Sequence, residues 1–252
     1  MTEVFFLNVL DPNLTDGFDF PVDSWVVRWN KIKDMITSNH NDIGGLVEVP
    51  ILYRQEITND LKYLGYLTFF CEKLNSTHGC LLFWKNNKAL KTWMVHLQVP
   101  LYPTASQVAL FVQLSGGSVI AVTHLKSTKT SEGEKIRVQQ IEMIINELKD
   151  IESVVLMGDL NSSPIEHNGY APLVYPIVTS SGYVDAHPQL GFSTWKSRKG
   201  IISKMREDYI LVKGLKIDSS SVVNTKSLLP NEDIPSDHLP IKALIADRLW
   251  YK

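Results

Sequence analysis

Three short polar strings in the second half of the chain constrain its fold most, because each adjoins a run typical of a buried strand. The strings are Thr123-His124-Leu125, Gly158-Asp159-Leu160-Asn161 and Ser236-Asp237-His238. The apolar runs beside them are residues 119–122, 154–157 and 239–244. A further carboxylate, Glu48, follows the similar run 43–47. A rigid sheet presents side chains at its strand ends with fixed spacing, so these strings predict a site built from strand ends.

Composition and charge limit the class of protein. The chain has 252 residues, of which 44% are apolar and 21% are charged, as is ordinary for a globular protein. No linker, repeat or low-complexity tract divides the sequence, so we expect one domain spanning residues 1–252. A formal net charge of -2 argues against a protein that grips long nucleic acid electrostatically, but it permits a small phosphorylated ligand.

The sequence also favours a soluble, cytoplasmic protein. The N-terminus is acidic and enters a predicted strand at once, without the basic region of a signal or transit peptide. No apolar run approaches the roughly 20 residues that cross a bilayer. Cys71 and Cys80 lack metal-ligand spacing and are expected to be reduced thiols. We therefore expect an intracellular monomer that binds no membrane.

Hydrophobic periodicity predicts an α/β fold. Apolar runs predict strands at residues 4–10, 43–49, 66–70, 80–84, 107–114, 119–123, 154–157, 209–212 and 239–245. Helices are predicted at residues 22–36, 51–63 and 131–150, the last opened by a capping box of Ser131 and Glu134. Paired strands interrupted by crossover helices predict mixed sheets covered by helices.

The carboxylates at the strand ends suit hydrolysis of a phosphoester. That reaction needs charge neutralised on the non-bridging oxygens, a water held in line and a stabilised leaving oxygen. Glu48 and Asp237 offer the pair of hard oxygen ligands that Mg²⁺ prefers. Asp159 can orient the water, and Asn161, two residues on, can donate to a phosphate oxygen.

Two histidines and another carboxylate complete this predicted set. His124 and His238 are acid–base or oxyanion partners near neutral pH. Asp208, in the string Arg206-Glu207-Asp208-Tyr209, can fix the tautomer of one imidazole.

The same residues resemble the endonuclease/exonuclease/phosphatase superfamily in order and spacing. The matching residues are Asn8, Glu48, His124, Gly158-Asp159-Leu160-Asn161, Asp208-Tyr209-Ile210 and Ser236-Asp237-His238. Residues 78–85 resemble the branch of nocturnin, Angel and the carbon-catabolite-repressor-type deadenylases. Residues 123–126, 134–137 with Gln140, and 194–198 resemble nocturnin in particular. The resemblance implies a four-layer α/β/β/α sandwich, in which two mixed sheets pack face to face with helices outside.

The resemblance also implies a role for each matched residue. Mg²⁺, with Mn²⁺ as the other candidate, would bind Glu48 with help from Asn8 and Asp237. The implied catalytic residues are His124, Asp159, Asn161, Asp208 and His238. The implied substrate contacts are Lys126, Arg198, Arg137 and Trp195. Among these, Lys126 and Arg198 match positions that hold the substrate's phosphates in nocturnin.

Two residues depart from the family pattern. Val47 precedes the metal-binding Glu48 where Gln is usual, so a hydrogen bond that supports the metal site is expected to be missing. Glu207 precedes Asp208 where an apolar residue is usual. It brings an unexpected carboxylate near the site or marks a small shift of the strand.

Three functions remain open. The first is Mg²⁺-dependent removal of the 2′-phosphate from NADP(H), a small nucleotide substrate, and the strings around Lys126 and Arg198 favour it. The second is a 3′–5′ exoribonuclease or poly(A) deadenylase, or a 2′-5′ oligoadenylate phosphodiesterase, acting on an RNA 3′ end. It would need stacking aromatics along a basic groove, for which Tyr53, Tyr63 and Trp84 are scattered candidates. The third is a catalytically silent binding module, against which the complete set of catalytic groups argues.

Overall fold

A computed structural model describes residues 1–38, 41–85, 89–100, 102–167, 169–223 and 225–246. Its α-helices are α1 (Trp25–Thr37), α2 (Arg54–Tyr63), α3 (Ser131–Glu147) and α4 (Val174–Ser180). Its strands are β1 (Thr2–Asn8), β2 (Ile43–Pro50), β3 (Tyr66–Glu72), β4 (His78–Lys85), β5 (Ala89–Val99), β6 (Tyr102–Leu114), β7 (Val119–His124), β8 (Val154–Asp159), β9 (Val184–Asp185), β10 (Thr194–Arg198), β11 (Ile201–Met205), β12 (Asp208–Lys213), β13 (Ile217–Val222) and β14 (Ile241–Ile245).

Most of these strands form two six-stranded mixed sheets. The first has the order β13-β14-β1-β2-β4-β3, and the second has the order β5-β6-β7-β8-β12-β9. Each contains one parallel pair, β1 with β2 and β7 with β8, among antiparallel neighbours. Strands β10 and β11 form a separate antiparallel hairpin.

The two sheets pack face to face around a shared core. Phe6 and Leu82 of the first sheet lie in one buried cluster with Val122 and Met157 of the second. The outer face of the first sheet packs against α1 and α2, and that of the second packs against α3 and α4. The predicted four-layer sandwich is therefore confirmed. Among the residues that the model describes, no helix is long and apolar enough to cross a membrane.

Helix α1 shows how the apolar spacing builds a layer. Trp25, Trp29, Ile32 and Ile36 recur at helical spacing, and all four are buried against the first sheet. The rings of Trp25 and Trp29 stack with centroids 6.0 Å apart. Burying a large apolar side chain stabilises a fold by roughly 1.5–3 kcal/mol, so this stripe anchors the outer layer.

The boundaries predicted for three helices are partly wrong. The helix predicted from residue 22 begins only at Trp25, after the N-cap Ser24. The predicted helix over 51–63 begins with a 3-10 turn, Ile51–Tyr53, and becomes α-helical only from Arg54. The capping box predicted at Ser131 does not form, because Thr130 is the N-cap of α3 and its hydroxyl oxygen accepts the N–H of Gly133. The Glu134 carboxylate turns inward and accepts the backbone N–H groups that open α4.

The sequence prediction also missed several strands, namely β5, β9, β10, β11 and β13. Their sequences carry many polar or exposed residues; β13 reads Ile-Asp-Ser-Ser-Ser-Val. Apart from residues 95–99 of β5, these segments lack the apolar alternation on which the prediction depended. Among these five strands, only β9 and β13 pair with a strand that is not their neighbour along a hairpin. The last predicted strand begins later than expected, at Ile241.

Strand register brings the predicted site residues to one end of the sandwich. In the second sheet Asp159, the last residue of β8, pairs with His124 of β7 on one side and with Asp208 of β12 on the other. In the first sheet Asn8, the last residue of β1, pairs with Val47 of β2. Because β1, β2, β7 and β8 all end at this edge, their terminal side chains meet there.

Candidate active site

Asp159 is the centre of the cluster. The backbone N–H of Asn161 donates to its Oδ1 at 2.9 Å, and the amide of Asn8 donates to its Oδ2 at 3.0 Å. The Nε2 atoms of His124 and His238 lie 3.7 and 3.8 Å from the same Oδ2. Burial raises the pKa of the Asp159 carboxyl above its usual range. The structure therefore brings four other predicted residues together around the Asp159 carboxylate.

His238 and Asp208 form a hydrogen-bonded pair beside this carboxylate. His238 Nδ1 lies 2.8 Å from Asp208 Oδ2. Burial opposes protonation of the imidazole, but the Asp208 carboxylate outweighs it and the pKa of His238 is raised to about 9. Asp208 is itself placed by its backbone N–H, which donates to Ser193 Oγ at 3.0 Å. His238 is thus a cation at neutral pH, with Nδ1–H bound to Asp208 and Nε2–H directed toward the centre.

Glu48 reaches the site through a β-bulge. The register of β2 with β4 shifts between Val47 and Val49, and Glu48 has a φ of 57°. A bulge re-aims the side chain of the extra residue. The Glu48 carboxylate accepts the backbone N–H of Asp11 at 3.2 Å. Val47 is fully buried in the core between the sheets, so this departure from the family pattern contributes packing and no polar group.

Asp237 is buried and lies against two cations of the β10–β11 hairpin. Lys196 Nζ donates to Asp237 Oδ2 at 2.7 Å, and Arg198 Nη2 is 3.8 Å from that oxygen. Burial opposes ionisation, but Lys196 overcomes it and holds the pKa of Asp237 far below its usual range. Its other oxygen, Oδ1, is buried without a hydrogen-bond partner among the residues described. Asp237 therefore carries a negative charge and one unused acceptor.

Lys73 is a buried residue of the site that sequence reasoning missed. Its Nζ lies 3.0 Å from His124 Nδ1 and 3.3 Å from His78 Nε2. Burial, reinforced by the nearby charge of Lys73, lowers the pKa of His124 well below its usual range, so this imidazole is neutral. The sequence did contain one indication of this role. Lys73 directly follows strand β3, just as several of the predicted site residues lie at the ends of other strands.

Lys129 is the second missed residue, and it explains the unexpected Glu207. Lys129 Nζ donates to Asn161 Oδ1 at 2.6 Å and forms an ion pair with the Glu207 carboxylate. The amide nitrogen of Asn161 donates to the carbonyl of Leu125 at 3.1 Å. Glu207 therefore lies near the site as the partner of a lysine, and the pairing of β12 with β8 shows no register shift.

Arg137 was predicted to contact the substrate, but its side chain is buried away from the site. Its side chain is 0% exposed. The guanidinium donates to Glu134 Oε2 at 2.9 Å and to the carbonyls of Lys126 and Thr128, both at 2.7 Å. Its position fixes the loop that carries Lys126, whose own side chain remains partly exposed.

Trp195 and Arg198 lie on opposite faces of β10, because strand residues alternate in direction. Arg198 shares a face with Lys196 at Asp237; its Nη2 donates to the carbonyl of Leu14 at 2.9 Å. Trp195 packs edge-on against Phe192, with ring centroids 5.8 Å apart. The structure thus brings Arg198 to the edge of the site and leaves Trp195 on the far face of the hairpin.

Comparison with known proteins gives the family. A model described as the Endonuclease/Exonuclease/phosphatase family matches residues 16–238. The chain belongs to this family. A search of the curated proteins finds no match.

The solved structures similar to this chain share its fold throughout. One is ANGEL2, a 2′,3′-cyclic phosphatase, in complex with adenosine-2′,3′-vanadate. It is 22% identical to this chain with a TM-score of 0.78, and the match covers 96% of this chain and 94% of that chain. Another is the human nocturnin catalytic domain with bound sulfate: 24% identity, TM-score 0.73, covering 96% and 92%. A third is an endonuclease/exonuclease/phosphatase from Bacteroides vulgatus: 19% identity, TM-score 0.76, covering 98% and 99%. The predicted superfamily is confirmed by the family match, and the chain is a metal-dependent phosphoesterase. The nocturnin and Angel branch stays a prediction, because these similar solved structures are all under 25% identical.

The residues at the site suit the divalent cation that the family implies. Glu48 accepts a backbone N–H at one oxygen, and Asp237 has a buried oxygen without a partner in the part of the chain that is described. Asp159 and Asp208 bring two further carboxylates, with one oxygen of each within 4.8 Å of the other, beside the protonated His238. Anionic oxygen ligands without a thiolate are the donors that Mg²⁺ and Mn²⁺ prefer.

A cavity of about 250 Å³ opens beside Glu48. Glu48, Lys73, His78 and His124 line it together with Leu14. The cavity therefore has a carboxylate, a lysine and two imidazoles in its wall. This combination suits a small anionic ligand whose charge is shared between the protein's cations and a bound metal ion.

Proposed function

We propose that this phosphoesterase removes the 2′-phosphate from NADP(H) in a reaction that depends on Mg²⁺ or Mn²⁺. The observation that carries the proposal is the small cavity of about 250 Å³ that places Glu48 and His124 in one wall with Lys73. A cavity of this size admits one phosphorylated sugar. The predicted phosphate contacts Lys126 and Arg198 would hold the rest of a dinucleotide. ANGEL2, a 2′,3′-cyclic phosphatase in complex with adenosine-2′,3′-vanadate, supports the substrate class by analogy, and the nocturnin catalytic domain binds a sulfate anion.

The proposed metal ligands are Glu48, Asp237 and Asn8. A bound divalent cation would neutralise charge on the phosphate oxygens and so favour attack at phosphorus. Asn8 can serve through its amide oxygen, which already accepts the N–H of Leu10 at 3.0 Å and retains a second lone pair. Asp237 enters the site ionised because Lys196 pairs with it.

The remaining groups supply the water and the protons. Asp159 would orient the attacking water; burial raises its pKa, which makes it a stronger base than an exposed carboxylate. His238, kept protonated by Asp208, would donate Nε2–H to an oxygen of the phosphate. His124, kept neutral by burial, would donate a second hydrogen bond to the scissile phosphate, and Asn161 would help to hold it.

The polymer-directed alternatives require a stacking platform, which the three aromatic candidates do not form among the residues described. Of the three aromatic candidates, Tyr53 stacks on Trp25 with centroids 5.5 Å apart, and Trp84 is buried in the core between the sheets. Tyr63 is exposed, but it ends α2 on the outer face of the first sheet. These positions favour a small nucleotide over an RNA 3′ end.

A side-by-side assay tests the proposal. Purified protein is incubated with NADPH, 2′,3′-cyclic AMP, a poly(A) oligomer or a 2′-5′ oligoadenylate, each with Mg²⁺, with Mn²⁺ and with EDTA. We expect release of inorganic phosphate and NADH from NADPH in both metals and none in EDTA. The His124→Ala variant, purified in the same way, controls for contaminating phosphatase. Turnover of an oligonucleotide or the cyclic nucleotide without turnover of NADPH would refute the assignment.

A further inference from the structure

A chain of hydrogen-bonded side chains approaches His124 from outside the proposed catalytic set. Lys73 Nζ lies 3.0 Å from His124 Nδ1 and 3.3 Å from His78 Nε2. His78 Nδ1 lies 3.1 Å from Asp11 Oδ2, which also accepts the hydroxyl of Thr77 at 2.5 Å. The two imidazoles stack with centroids 6.1 Å apart and their planes inclined by 17°.

The donor groups of Lys73 and His78 determine which atom donates in each hydrogen bond that links Lys73, His124, His78 and Asp11. A lysine ammonium has three N–H donors and no acceptor. With Lys73 as an ammonium, both ring nitrogens that face it accept, which places the proton of neutral His124 on Nε2 and leaves the proton of His78 on Nδ1, the nitrogen that faces Asp11. The His78 Nδ1–H then donates to Asp11. The two stacked rings are thus expected to be opposite tautomers.

Asp11 is the last member of this series of hydrogen-bonded side chains, and its own hydrogen bonds hold it in place. Its Oδ1 accepts the backbone N–H of Asn13 at 3.0 Å and caps a 3-10 turn. Burial opposes ionisation, but the hydrogen bonds from His78 and Thr77 overcome it and lower the pKa of Asp11, so the carboxylate stays an acceptor. The backbone N–H of Asp11 also donates to Glu48, which links this chain to the proposed metal ligand.

We propose that Lys73, His78 and Asp11 are positioning residues that lock His124 in its Nε2–H tautomer for donation to the scissile phosphate. Nε2 is the nitrogen that faces the centre of the site, 3.7 Å from Asp159 Oδ2. The opposite tautomer would present a lone pair to a phosphate oxygen and repel it. The use of this proton depends on the proposed phosphoester reaction, but the tautomer is a property of the free protein.

Nitrogen-15 NMR of the full chain labelled at histidine tests the tautomers without any substrate. Long-range proton–nitrogen spectra distinguish Nε2–H from Nδ1–H rings, and single histidine variants assign the signals. We expect His124 as Nε2–H and His78 as Nδ1–H. In Lys73→Met, His124 should become a mixture of tautomers, Lys73→Arg should restore the single form, and Lys62→Met, at an exposed lysine, should change nothing.

Kinetics then separates positioning from substrate contact. Lys73→Met should lower kcat by about 10- to 100-fold, the range for losing a residue that orients a catalytic group, with KM little changed. If Lys73→Met unfolds, His78→Phe is the second variant. It keeps the stacked ring but removes both nitrogens, and it should also lower kcat with KM little changed. An Nδ1–H His124 in the wild type overturns the proposal, and so does an unchanged tautomer in folded Lys73→Met. An unchanged kcat in folded His78→Phe would remove His78 from the positioning residues. Because NMR needs no turnover, inactivity toward NADPH leaves this test intact.

Discussion

At the scale of the single residue, the backbone at Glu48 decides the direction of the carboxylate that is proposed to bind the metal. A φ of 57° is uncommon for a residue other than glycine, and here it belongs to a bulge that turns the side chain out of the β2 alternation. Without the bulge, strict alternation of β2 would give this carboxylate a different direction. Unusual backbone geometry of this kind is often found at functional sites, where surrounding structure offsets its cost.

We predict that Glu48→Ala folds normally but loses activity by roughly 10²–10³-fold, the scale of one lost electrostatic stabiliser of the transition state. The measurement is kcat at saturating Mg²⁺, with circular dichroism to confirm the fold. Glu56→Ala, at an exposed glutamate on α2, is the matched control and should keep full activity. Wild-type turnover in Glu48→Ala would remove Glu48 from the metal site.

The pair of Asp208 and His238 should act as one unit. Asp208→Asn removes the charge that raises the pKa of His238 to about 9, so in metal-free protein an NMR titration should show that pKa falling toward 6.5 or below. The sign follows from the raised pKa: the pair stabilises the folded protein fully below about pH 6.5 and loses this contribution as pH rises through about 9. Asp208→Asn, His238→Ala and the double variant should be strongly non-additive in kcat. Additive losses would show that the two side chains act independently.

At the scale of the element, the β10–β11 hairpin supplies cations to a site otherwise built from the ends of sheet strands. The alternation of β10 places Lys196 and Arg198 on the face toward Asp237. The neighbouring segment holds the hairpin in place, since Asp19 accepts the hydroxyl of Ser197 at 2.5 Å and the N–H of Gly200 at 3.0 Å. The hairpin is therefore a fixed part of the site wall.

We predict that Arg198→Ala and Lys126→Ala each lower kcat/KM for NADPH by about 1–3 kcal/mol, the scale of a charge-assisted hydrogen bond. Both residues are proposed to hold a second phosphate group, away from the one that is cleaved. Turnover of bis(p-nitrophenyl) phosphate, which has no second phosphate, should be nearly unchanged, and Lys226→Ala, at an exposed lysine, is the control. Equal losses on both substrates would place these residues in the catalytic set instead.

Helix α3 contributes to the site through Arg137, which donates hydrogen bonds to the loop that carries Lys126. The buried pair of Arg137 Nη2 and Glu134 Oε2 is 2.8 Å apart, and each side chain also bonds backbone groups of other segments. We predict that Arg137→Met destabilises the protein by about 3–5 kcal/mol, because it leaves a buried carboxylate unpaired. Urea unfolding measures this, with Lys135→Met on the exposed face of α3 as the control. A raised KM with unchanged stability would return Arg137 to the substrate site.

At the scale of the whole molecule, the fold and the metal site are expected to be energetically separate. The core between the sheets and the two outer layers are apolar clusters that contain none of the proposed metal ligands. The metal-free protein should therefore stay folded in EDTA while losing activity. Added Mg²⁺ should raise Tm by mass action, equivalent to about 2.7 kcal/mol at 100 times Kd. Calorimetry with and without Mg²⁺ measures the shift, which should vanish in Glu48→Ala; unfolding in EDTA would contradict this separation.

The sequence by itself determined the central strands, the helices that cover the sheets and most of the candidate site, while the resemblance to the family supplied the four-layer order. Apolar periodicity is a local property, so it located the central strands and the buried stripes of α1 and α3. The polar strings placed Asp159, His124 and His238 at strand ends, and the strands then brought them together. Order and spacing along the chain sufficed because each of these residues follows or precedes a strongly apolar strand.

Only the tertiary structure decided which charged residues reach the site. Lys73 and Lys129 are adjacent to His124 and Asn161 in space but lie 51 and 32 positions away in the chain. Arg137 matched a family string, yet its helix turns it inward to hold the loop at Lys126. A charged side chain in a loop has no local pattern that tells solvent from an interior partner, because its direction depends on segments that meet it only after folding.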